Sequence, residues 1–213
     1  KGHVVILEST SYPGTTHDHI VKILNKKFKV GEEIFVGFSS ERIDPGRNDN
    51  KIEKIPKVVS GYSNECLILV SAIYNKIVDK TVKVSSPRVA EMTKILENIY
   101  RAVNIGLVNE LKMVTERMNI DIYEVINAAN QGYPRNRVPL PSPGVGGPCL
   151  TKDPHIFSKS CPDDILFSGM TLFDHGRLIN ESMHGFISKK IIYSTYYIVS
   201  RIFYINFVTF FNR

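Results

Sequence analysis

The chain has 213 residues, 43% of them hydrophobic and 23% charged, which is ordinary for a globular protein and sufficient for one large or two small domains. Its formal net charge is +6, but four of these charges lie beyond Glu181 and no basic stripe interleaved with aromatic residues occurs elsewhere, so we expect no nucleic-acid-binding function. The three cysteines are an odd number without the spacing of a metal site, and no signal peptide is evident at Lys1, so we expect no disulfide scaffold, no metal and a reduced, cytoplasmic setting.

Short apolar runs in residues 1–85 predict buried β-strands. The runs occupy residues 4–7, 34–38, 57–61 and 81–84, and a helix-like stretch over 16–28 follows the first of them. Strands that alternate with helices predict a doubly wound α/β sheet with parallel strands. Ligands of such sheets bind beyond the carboxyl ends of the strands, which is where Thr10 and Glu41 fall.

The middle of the chain has helical periodicity. No proline interrupts residues 89–118, and apolar residues recur there at every third or fourth position, which predicts one long amphipathic helix. The recurring residues are Leu96, Ile99, Val103, Leu107, Leu111 and Val114. A helix of this length is typical of a core shared between subunits. Further helices are predicted over 121–131 and from Gly169 to about Ile192.

A glycine-rich turn precedes the second cysteine. The sequence Pro-Gly-Val-Gly-Gly-Pro over residues 143–148 leads into Cys149, with Lys152 and Asp153 shortly after it. Glycine lets a backbone approach a ligand closely, so the amides of Gly146 and Gly147 can face a sugar or a phosphate. We interpret the segment as a substrate-cradling loop that carries a nucleophilic thiol. An ordinary turn with a buried cysteine is the alternative.

The tail from residue 186 holds nine of the 21 aromatic residues with little alternation of polar and apolar positions. Arg201 and Asn206 would lie inside its hydrophobic run, so we expect no membrane span. The same residue types are what AT-rich codons supply, so a disrupted reading frame is an open alternative that resequencing the locus would test. From the strand and helix patterns, the sequence predicts two domains, residues 1–85 and 86–185. Residues 186–213 are not assigned to a domain.

Four short motifs occur in order between residues 4 and 157. They are Glu-Ser-Thr-Ser-Tyr-Pro-Gly-Thr-Thr at 8–16, Ser-Glu-Arg-Ile-Asp-Pro-Gly at 40–46, Ala-Glu-Met-Thr-Lys-Ile-Leu-Glu-Asn at 90–98 and Gly-Gly-Pro-Cys-Leu-Thr-Lys-Asp-Pro at 146–154. In this order they resemble the nucleotide-sugar dehydrogenases of the UDP-glucose/GDP-mannose dehydrogenase family. Each motif alone is weak, whereas four in order argue against coincidence. The residues of the first two motifs resemble those of the family branch that acts on UDP-N-acetylhexosamines.

The resemblance implies a fold and a reaction. The fold would be the later part of a Rossmann-like, NAD-binding domain followed by an all-α dimerisation domain with a long central helix, joined as a homodimer through residues 89–118. The reaction would be the NAD-dependent oxidation of the C6 alcohol of a nucleotide sugar to a carboxylate. Cys149 would attack the C6 aldehyde as a thiolate. Lys94 would stabilise the oxyanion, and Asn98, one helical turn later, would hold the same end of the substrate.

The resemblance also implies roles in hydrolysis of the resulting thioester. Glu41 would act as base toward the attacking water, which Thr10 and Asp153 would position. Thr10 and Glu41 would also contact the cofactor, and Lys152 would lie near the cofactor or the thiolate. The alternatives are structural: Lys94 as a solvated helix lysine, Glu41 in a surface ion pair and Thr10 as a turn cap.

Two arginines are candidates for binding a diphosphate, and the sequence departs from the family pattern in two respects. Arg135 and Arg137 could reach a diphosphate, because guanidinium matches phosphate bidentately. The 213 residues contain no Gly-x-Gly-x-x-Gly turn for the NAD pyrophosphate and no second α/β domain, so we expect a family fragment with little turnover in isolation. A non-catalytic helical dimerisation module is the rival interpretation. A hydroxy-acid dehydrogenase would also join a Rossmann domain to a long helix, but it would not need Cys149.

Overall fold

The computed structural model describes residues 1–42, 51–159, 161 and 170–211, which form two compact units. The first unit comprises residues 1–100 and the segment that begins at Lys152, and the second comprises residues 101–151 and 170–211. The division falls inside the long central helix. The domain boundaries at 85 and 185 stay a prediction.

Four β-strands form one sheet in the first unit, in the order β1-β2-β3-β4. They are His3–Leu7, Ile34–Phe38, Lys57–Gly61 and Thr81–Lys83, which agrees closely with the four apolar runs. The strands β1 and β2 are parallel, as are β3 and β4. The α/β class predicted from the sequence is confirmed.

The pairing of β2 with β3 is antiparallel, which corrects the expectation of a wholly parallel sheet. A parallel connection needs a crossover, usually a helix, to return the chain to the starting edge of the sheet. Helices supply that crossover between β1 and β2 and between β3 and β4. Between β2 and β3, the described residues contain only a short 3₁₀ turn, Ile52–Lys54. Residues 43–46 of the second motif lie outside the described residues.

Helices cover both faces of the sheet. Helix α1 (Lys22–Leu24) continues a π-helix, Thr16–Val21, so the helix predicted over 16–28 ends early. Helix α2 (Asn64–Tyr74) packs Val70 and Tyr74 against Val59 on one face. On another part of the sheet, Ala90 of helix α3 (Pro87–Arg117) packs with Phe38 and Val58. Burial of these apolar side chains holds the sheet and its helices together.

The long helix α3, predicted as one amphipathic helix, has two apolar faces. Its buried apolar residues are Ala90, Ile95, Ala102 and Val108. A second set is exposed and recurs every third, fourth or seventh position, which places it on one stripe of the helix surface. This exposed stripe consists of Val89, Leu96, Tyr100, Leu107, Leu111 and Val114. Four members of the predicted amphipathic face therefore point to solvent.

The second unit is helical. Helix α4 (Ile122–Asn130) begins at the cap residue Asp121 and packs Ile122 and Ile126 against Val108. Helix α3 crosses helix α6 (Leu172–Phe211) where a Cβ on Gly106 would stand 3.0 Å from the Cα of Gly176. Only residues without side chains permit so close a helix approach, so this crossing is specified by the two glycines.

Two helical segments differ from expectation. Cys149 lies in helix α5 (Pro148–Ser158), whereas the glycines and prolines of residues 143–148 predict a turn that carries this cysteine. Helix α6 continues to Phe211 rather than ending near Ile192, and its predicted start at Gly169 lies outside the described residues. Within the described part of the chain, no helix combines the length and apolar character needed to cross a bilayer.

Candidate active site

The carboxyl ends of β1 and β2 carry two predicted site residues. Thr10 is half-buried three residues beyond β1, and Glu41 is exposed three residues beyond β2. The antiparallel register pairs Phe38 with Ser60, so it brings the first residue of β3, Lys57, to the same edge. The Lys57 ammonium lies 3.1 Å from a Glu8 oxygen and 3.8 Å from a Glu41 oxygen.

Lys57 and Tyr74 set the charge state of Glu8. The Tyr74 hydroxyl donates a hydrogen bond of 2.5 Å to Glu8 Oε1, and the Lys57 ammonium lies 4.8 Å above the Tyr74 ring. The hydroxyl first, and then Lys57, hold the pKa of Glu8 below its ordinary value. Burial and the neighbouring Glu8 carboxylate raise the pKa of Tyr74 well above its ordinary value. The cluster therefore keeps a charged carboxylate beside a neutral phenol.

A cavity of about 210 Å³ opens at this edge of the sheet. Its polar wall is formed by Glu8, Glu41, Arg42, Lys57 and Tyr74. Its apolar wall is formed by Ile52, Ile55, Pro56, Ile77 and Val78. A concave surface with a few convergent polar groups and an apolar wall is suited to a small polar ring compound.

Lys94 of α3 reaches the segment after β2. Its Nζ atom donates a hydrogen bond of 2.6 Å to the Glu41 carbonyl oxygen. Arg42 pairs with Glu97, one helical turn from Lys94, and donates a bond of 2.8 Å to the Pro56 carbonyl. Lys94 is thus held against the Glu41 segment and is not a solvated helix lysine, although its ammonium touches the backbone of Glu41 and not its carboxylate.

Asn98 and Asp153 form a buried pair. The Nδ2 atom of Asn98 donates a hydrogen bond of 2.6 Å to Asp153 Oδ2, and the side chains are 2% and 0% exposed. The other carboxylate oxygen lies 2.9 Å from the Lys152 ammonium, at an angle outside hydrogen-bond geometry. The third and fourth motifs therefore meet through an amide and a carboxylate withdrawn from solvent.

Cys149 lies in the second unit, in the first turn of α5, and is exposed. The preceding Gly146 and Gly147 are exposed as well. A cavity of about 370 Å³ lies between this loop and α6. Its α6 side is formed by Arg177, Asn180, Glu181 and His184. The alternative of a buried structural cysteine does not describe Cys149, since the thiol is accessible.

The two predicted arginines lie in the connection between α4 and α5. Arg135 and Arg137 are exposed. The connection is fixed by Asn130, whose side chain both donates to and accepts from the backbone of Val138 at 2.9 Å. Exposed guanidinium groups on a fixed segment can bind an anion, but no hydrogen bond of the described residues aims either arginine at the glycine loop.

The predicted site residues therefore divide between the two units. The first unit holds Thr10, Glu41, Lys94, Asn98, Lys152 and Asp153. The second holds Arg135, Arg137, Gly146, Gly147 and Cys149. Sequence reasoning missed Lys57 and Tyr74, because only the antiparallel pairing and the packing of α2 bring them to Glu8. A signal for Glu8 was available, since it follows β1 directly and begins the first motif.

The edge of the sheet fits part of the expected NAD cofactor. A dinucleotide in a doubly wound sheet binds beyond the carboxyl ends of the strands. The carboxylates, the hydroxyls and the apolar wall found there fit the amide and ring of a nicotinamide. The 213 residues contain no Gly-x-Gly-x-x-Gly turn to hold a pyrophosphate. Among the described residues, no three histidine, cysteine or carboxylate side chains are arranged to bind a metal ion.

Comparison with known proteins points to one family. Residues 88–182 match the central domain of the UDP-glucose/GDP-mannose dehydrogenase family. A UDP-N-acetyl-D-glucosamine 6-dehydrogenase of Pseudomonas aeruginosa is 36% identical over 195 residues, which cover 90% of this chain and 45% of that relative. Protein CapL of Staphylococcus aureus is 38% identical over 192 residues, which cover 89% of this chain and 44% of that relative.

Solved structures agree with the sequence comparison. The UDP-D-ManNAc dehydrogenase of Pyrococcus horikoshii superposes with a TM-score of 0.79 at 31% identity, and the match covers 89% of this chain and 44% of that structure. The chain spans somewhat less than half the length of the relatives it matches. The shared fold therefore includes the sheet and the long helix of this chain.

Proposed function

We propose that this chain, whose residues 88–182 match the central domain of the UDP-glucose/GDP-mannose dehydrogenase family, serves the oxidation of the C6 alcohol of a UDP-N-acetylhexosamine to the uronate. The named relatives include dehydrogenases of UDP-N-acetyl-D-glucosamine and UDP-N-acetyl-D-mannosamine. UDP-glucose is the other substrate that the sequence motifs favour. The product would supply polysaccharide synthesis from the cytoplasm.

One observation carries the proposal: residues from separate motifs, each expected to take part in the reaction, contact one another in the first unit. Lys94 binds the segment of Glu41, and Asn98 binds Asp153. Burial of an amide–carboxylate pair costs desolvation free energy, and a shared role at the reaction site would account for that cost.

In this proposal Cys149 is the nucleophile. Its thiolate adds to the C6 aldehyde, and the sulfur holds the carbon while that carbon loses a hydride and becomes a thioester. Bound NAD would accept the hydride. The exposed backbone of Gly146 and Gly147 would approach the sugar, and Arg135 or Arg137 would bind the diphosphate.

Lys94 and Asn98 would stabilise the charge that develops on the C6 oxygen. An ammonium and an amide one helical turn apart present donors to the same side of α3. The Glu41 carbonyl restrains the Lys94 ammonium, and Asp153 restrains the Asn98 amide. Such restraint supports catalysis because donors that are already oriented cost no reorganisation in the transition state.

Glu41 would activate, and Asp153 would help to position, the water that hydrolyses the thioester. The exposed Glu41 carboxylate would take a proton from that water and Thr10 would position it, while release of the thiolate restores Cys149. Asp153 would help to position the same water, and its Oδ1 atom lies 2.9 Å from the Lys152 ammonium. Thr10 and Glu41, at the edge that fits a nicotinamide, and Lys152 would contact NAD.

A second candidate function is a non-catalytic helical dimerisation module. The exposed apolar stripe of α3 favours it, because six apolar side chains on one helix face are typical of a helix–helix interface. The two functions are compatible, since a dimer through residues 89–118 would also serve the enzyme. They differ in whether the chain binds and oxidises a nucleotide sugar.

The proposal is tested by assay of the folded chain with NAD and each of UDP-N-acetylglucosamine, UDP-N-acetylmannosamine, UDP-glucose and GDP-mannose. NADH and uronate are measured together, and nucleotide-sugar binding is measured by calorimetry. We expect binding of a UDP-N-acetylhexosamine and weak turnover with two NADH for each uronate. Cys149→Ala should abolish uronate formation, and Cys161→Ala, the matched control, should retain it.

Two outcomes would contradict the proposal. Uronate formation by Cys149→Ala at the wild-type rate would exclude Cys149 as the nucleophile. A folded chain that binds none of the four nucleotide sugars and forms no uronate would favour the dimerisation module.

A further inference from the structure

Two buried asparagines connect three segments of the second unit. Asn109 of α3 is 0% exposed and Asn180 of α6 is 5% exposed. The Oδ1 atom of Asn109 accepts a hydrogen bond of 2.8 Å from the backbone amide of Ser142. The Nδ2 atom of Asn109 donates at 2.9 Å to Asn180 Oδ1, and Asn180 Nδ2 donates at 3.0 Å to the carbonyl of Ala102.

The two ends of this hydrogen-bond network fix the orientation of both asparagine side-chain amides. It begins at a peptide N–H, that of Ser142, which can only donate, and it ends at a peptide carbonyl, that of Ala102, which can only accept. The two side-chain amides between them must therefore both be oriented as described. Reversal of either amide would place donor against donor and acceptor against acceptor where water cannot reach them, which is unfavourable.

The segment held in this way is the start of the glycine-rich loop. The Ser142 hydroxyl donates at 2.6 Å to the Gly144 carbonyl. Gly144 has a φ of 137°, and a Cβ at this position would stand 3.1 Å from the backbone carbonyl oxygen of Asn180. The loop is therefore fitted against α6 at a residue that must be glycine, five positions before Cys149.

We propose that Asn109 and Asn180 are positioning residues that fix the glycine loop and, through it, the first turn of α5 that carries Cys149. The inference extends the proposed function, since it rests on Cys149 as the nucleophile. Neither asparagine touches the thiol. They act through Ser142, which is bound to α3, and through Gly144, which lies against α6. These two contacts determine where α5 begins.

The physical consequence concerns the helix end. The amino end of a helix favours a nearby anion, and Cys149 lies in the first turn of α5. Release of the loop from Asn109 lets this turn fray, so the helix end is no longer held beside the Cys149 sulfur when that sulfur reacts.

The test measures the alkylation rate of each cysteine by iodoacetamide, followed by peptide mass mapping, in wild type, Asn109→Ala and Asn180→Ala. Cys161 in the same chain is the internal reference. Asn130→Ala is the matched control, because Asn130 also makes two hydrogen bonds to a loop backbone, at Val138. Hydrogen exchange of residues 142–151 is measured on the same samples, at a temperature where all variants are folded.

We expect Asn109→Ala and Asn180→Ala to alkylate Cys149 about two- to fivefold more slowly than wild type and to exchange faster over 142–151. Cys161 should react at the wild-type rate, and Asn130→Ala should leave Cys149 unchanged. A stabilising role alone would lower the melting temperature and leave the Cys149 rate as it is. That result, in either folded variant, would overturn the proposal.

Ser142→Ala is a milder variant for the case in which an asparagine variant does not fold. It keeps the backbone amide bound to Asn109 and removes the hydroxyl bound to Gly144. We expect a smaller decrease of the Cys149 rate in the same direction, and an unchanged rate would count against the proposal. These readouts need no turnover, so they are separate from the outcome of the dehydrogenase assay.

Discussion

At the scale of single residues, the edge of the sheet is organised by Lys57. Its side chain is 12% exposed and lies between the carboxylates of Glu8 and Glu41. A lysine so withdrawn from water requires compensating partners, and the two carboxylates with the ring of Tyr74 provide them. Lys57 thereby fixes the charge pattern that any ligand of the cavity would meet.

Glu8 gives a residue-scale prediction about pH. Its pKa is lower in the folded chain than its ordinary value, chiefly because of the Tyr74 hydroxyl. A carboxyl of this kind contributes stability above its unfolded pKa, and the contribution is lost as the pH falls through the folded pKa. Tyr74→Phe should therefore raise the pKa of Glu8 and destabilise the chain by about 1 kcal/mol at neutral pH. The difference from wild type should shrink in acid.

The pKa of Glu8 is measured by NMR titration and the free energy of unfolding by urea at several pH values. Tyr62→Phe is the matched control, since it removes the hydroxyl of an exposed tyrosine whose ring packs on His17 instead. An unchanged pKa of Glu8 in Tyr74→Phe would show that the hydroxyl does not control this carboxylate.

At the scale of secondary structure, helix α3 has two distinct tasks. One face packs in the core through residues such as Ile95 and Val108, and the same helix carries Lys94 and Asn98. The exposed apolar stripe of α3 takes part neither in the core packing nor in the placement of Lys94 and Asn98. Apolar residues that recur along one stripe of a long helix are expected to be covered by a second helix, because their exposure to water is unfavourable.

We predict that the stripe is the homodimer interface. Leu107→Glu together with Leu111→Glu should convert the dimer into a monomer in sedimentation analysis, since charges would then be buried at the contact. Both residues are exposed in the single chain, so its melting temperature should change little on their own account. Ile68→Glu, on an exposed position of α2, is the control that should leave the dimer intact. A monomeric wild type at high micromolar concentration would refute the prediction.

At the scale of the whole molecule, the chain combines the site proposed for the nicotinamide, at the edge of the sheet, with 213 residues that contain no Gly-x-Gly-x-x-Gly turn. Backbone amides at a helix end usually supply much of the affinity for a pyrophosphate. We therefore predict that the folded chain binds NAD weakly, with a dissociation constant on the order of 1 mM or above in calorimetry. A micromolar constant would show that other residues of this chain hold the pyrophosphate.

The sequence alone determined those features that depend on local pattern. The strands His3–Leu7, Ile34–Phe38 and Lys57–Gly61 follow from apolar runs bounded by polar residues, and the extent of α3 follows from its periodicity and freedom from proline. The resemblance to the UDP-glucose/GDP-mannose dehydrogenase family follows from four motifs in order, which need no coordinates. The glycine- and proline-rich residues 143–148 misled the prediction at α5, because they favour a turn where the fold forms a helix that begins at Pro148.

Tertiary structure decided what depends on partners distant in the chain. The antiparallel pairing that brings Lys57 to Glu8 and Glu41 is a choice of strand direction, which apolar runs do not encode. The face of α3 that enters the core was decided by packing, since both of its faces are apolar. The amide chain from Ser142 through Asn109 to Asn180 joins residues up to 71 positions apart, and only the crossing of α3 with α6 brings them within hydrogen-bond distance.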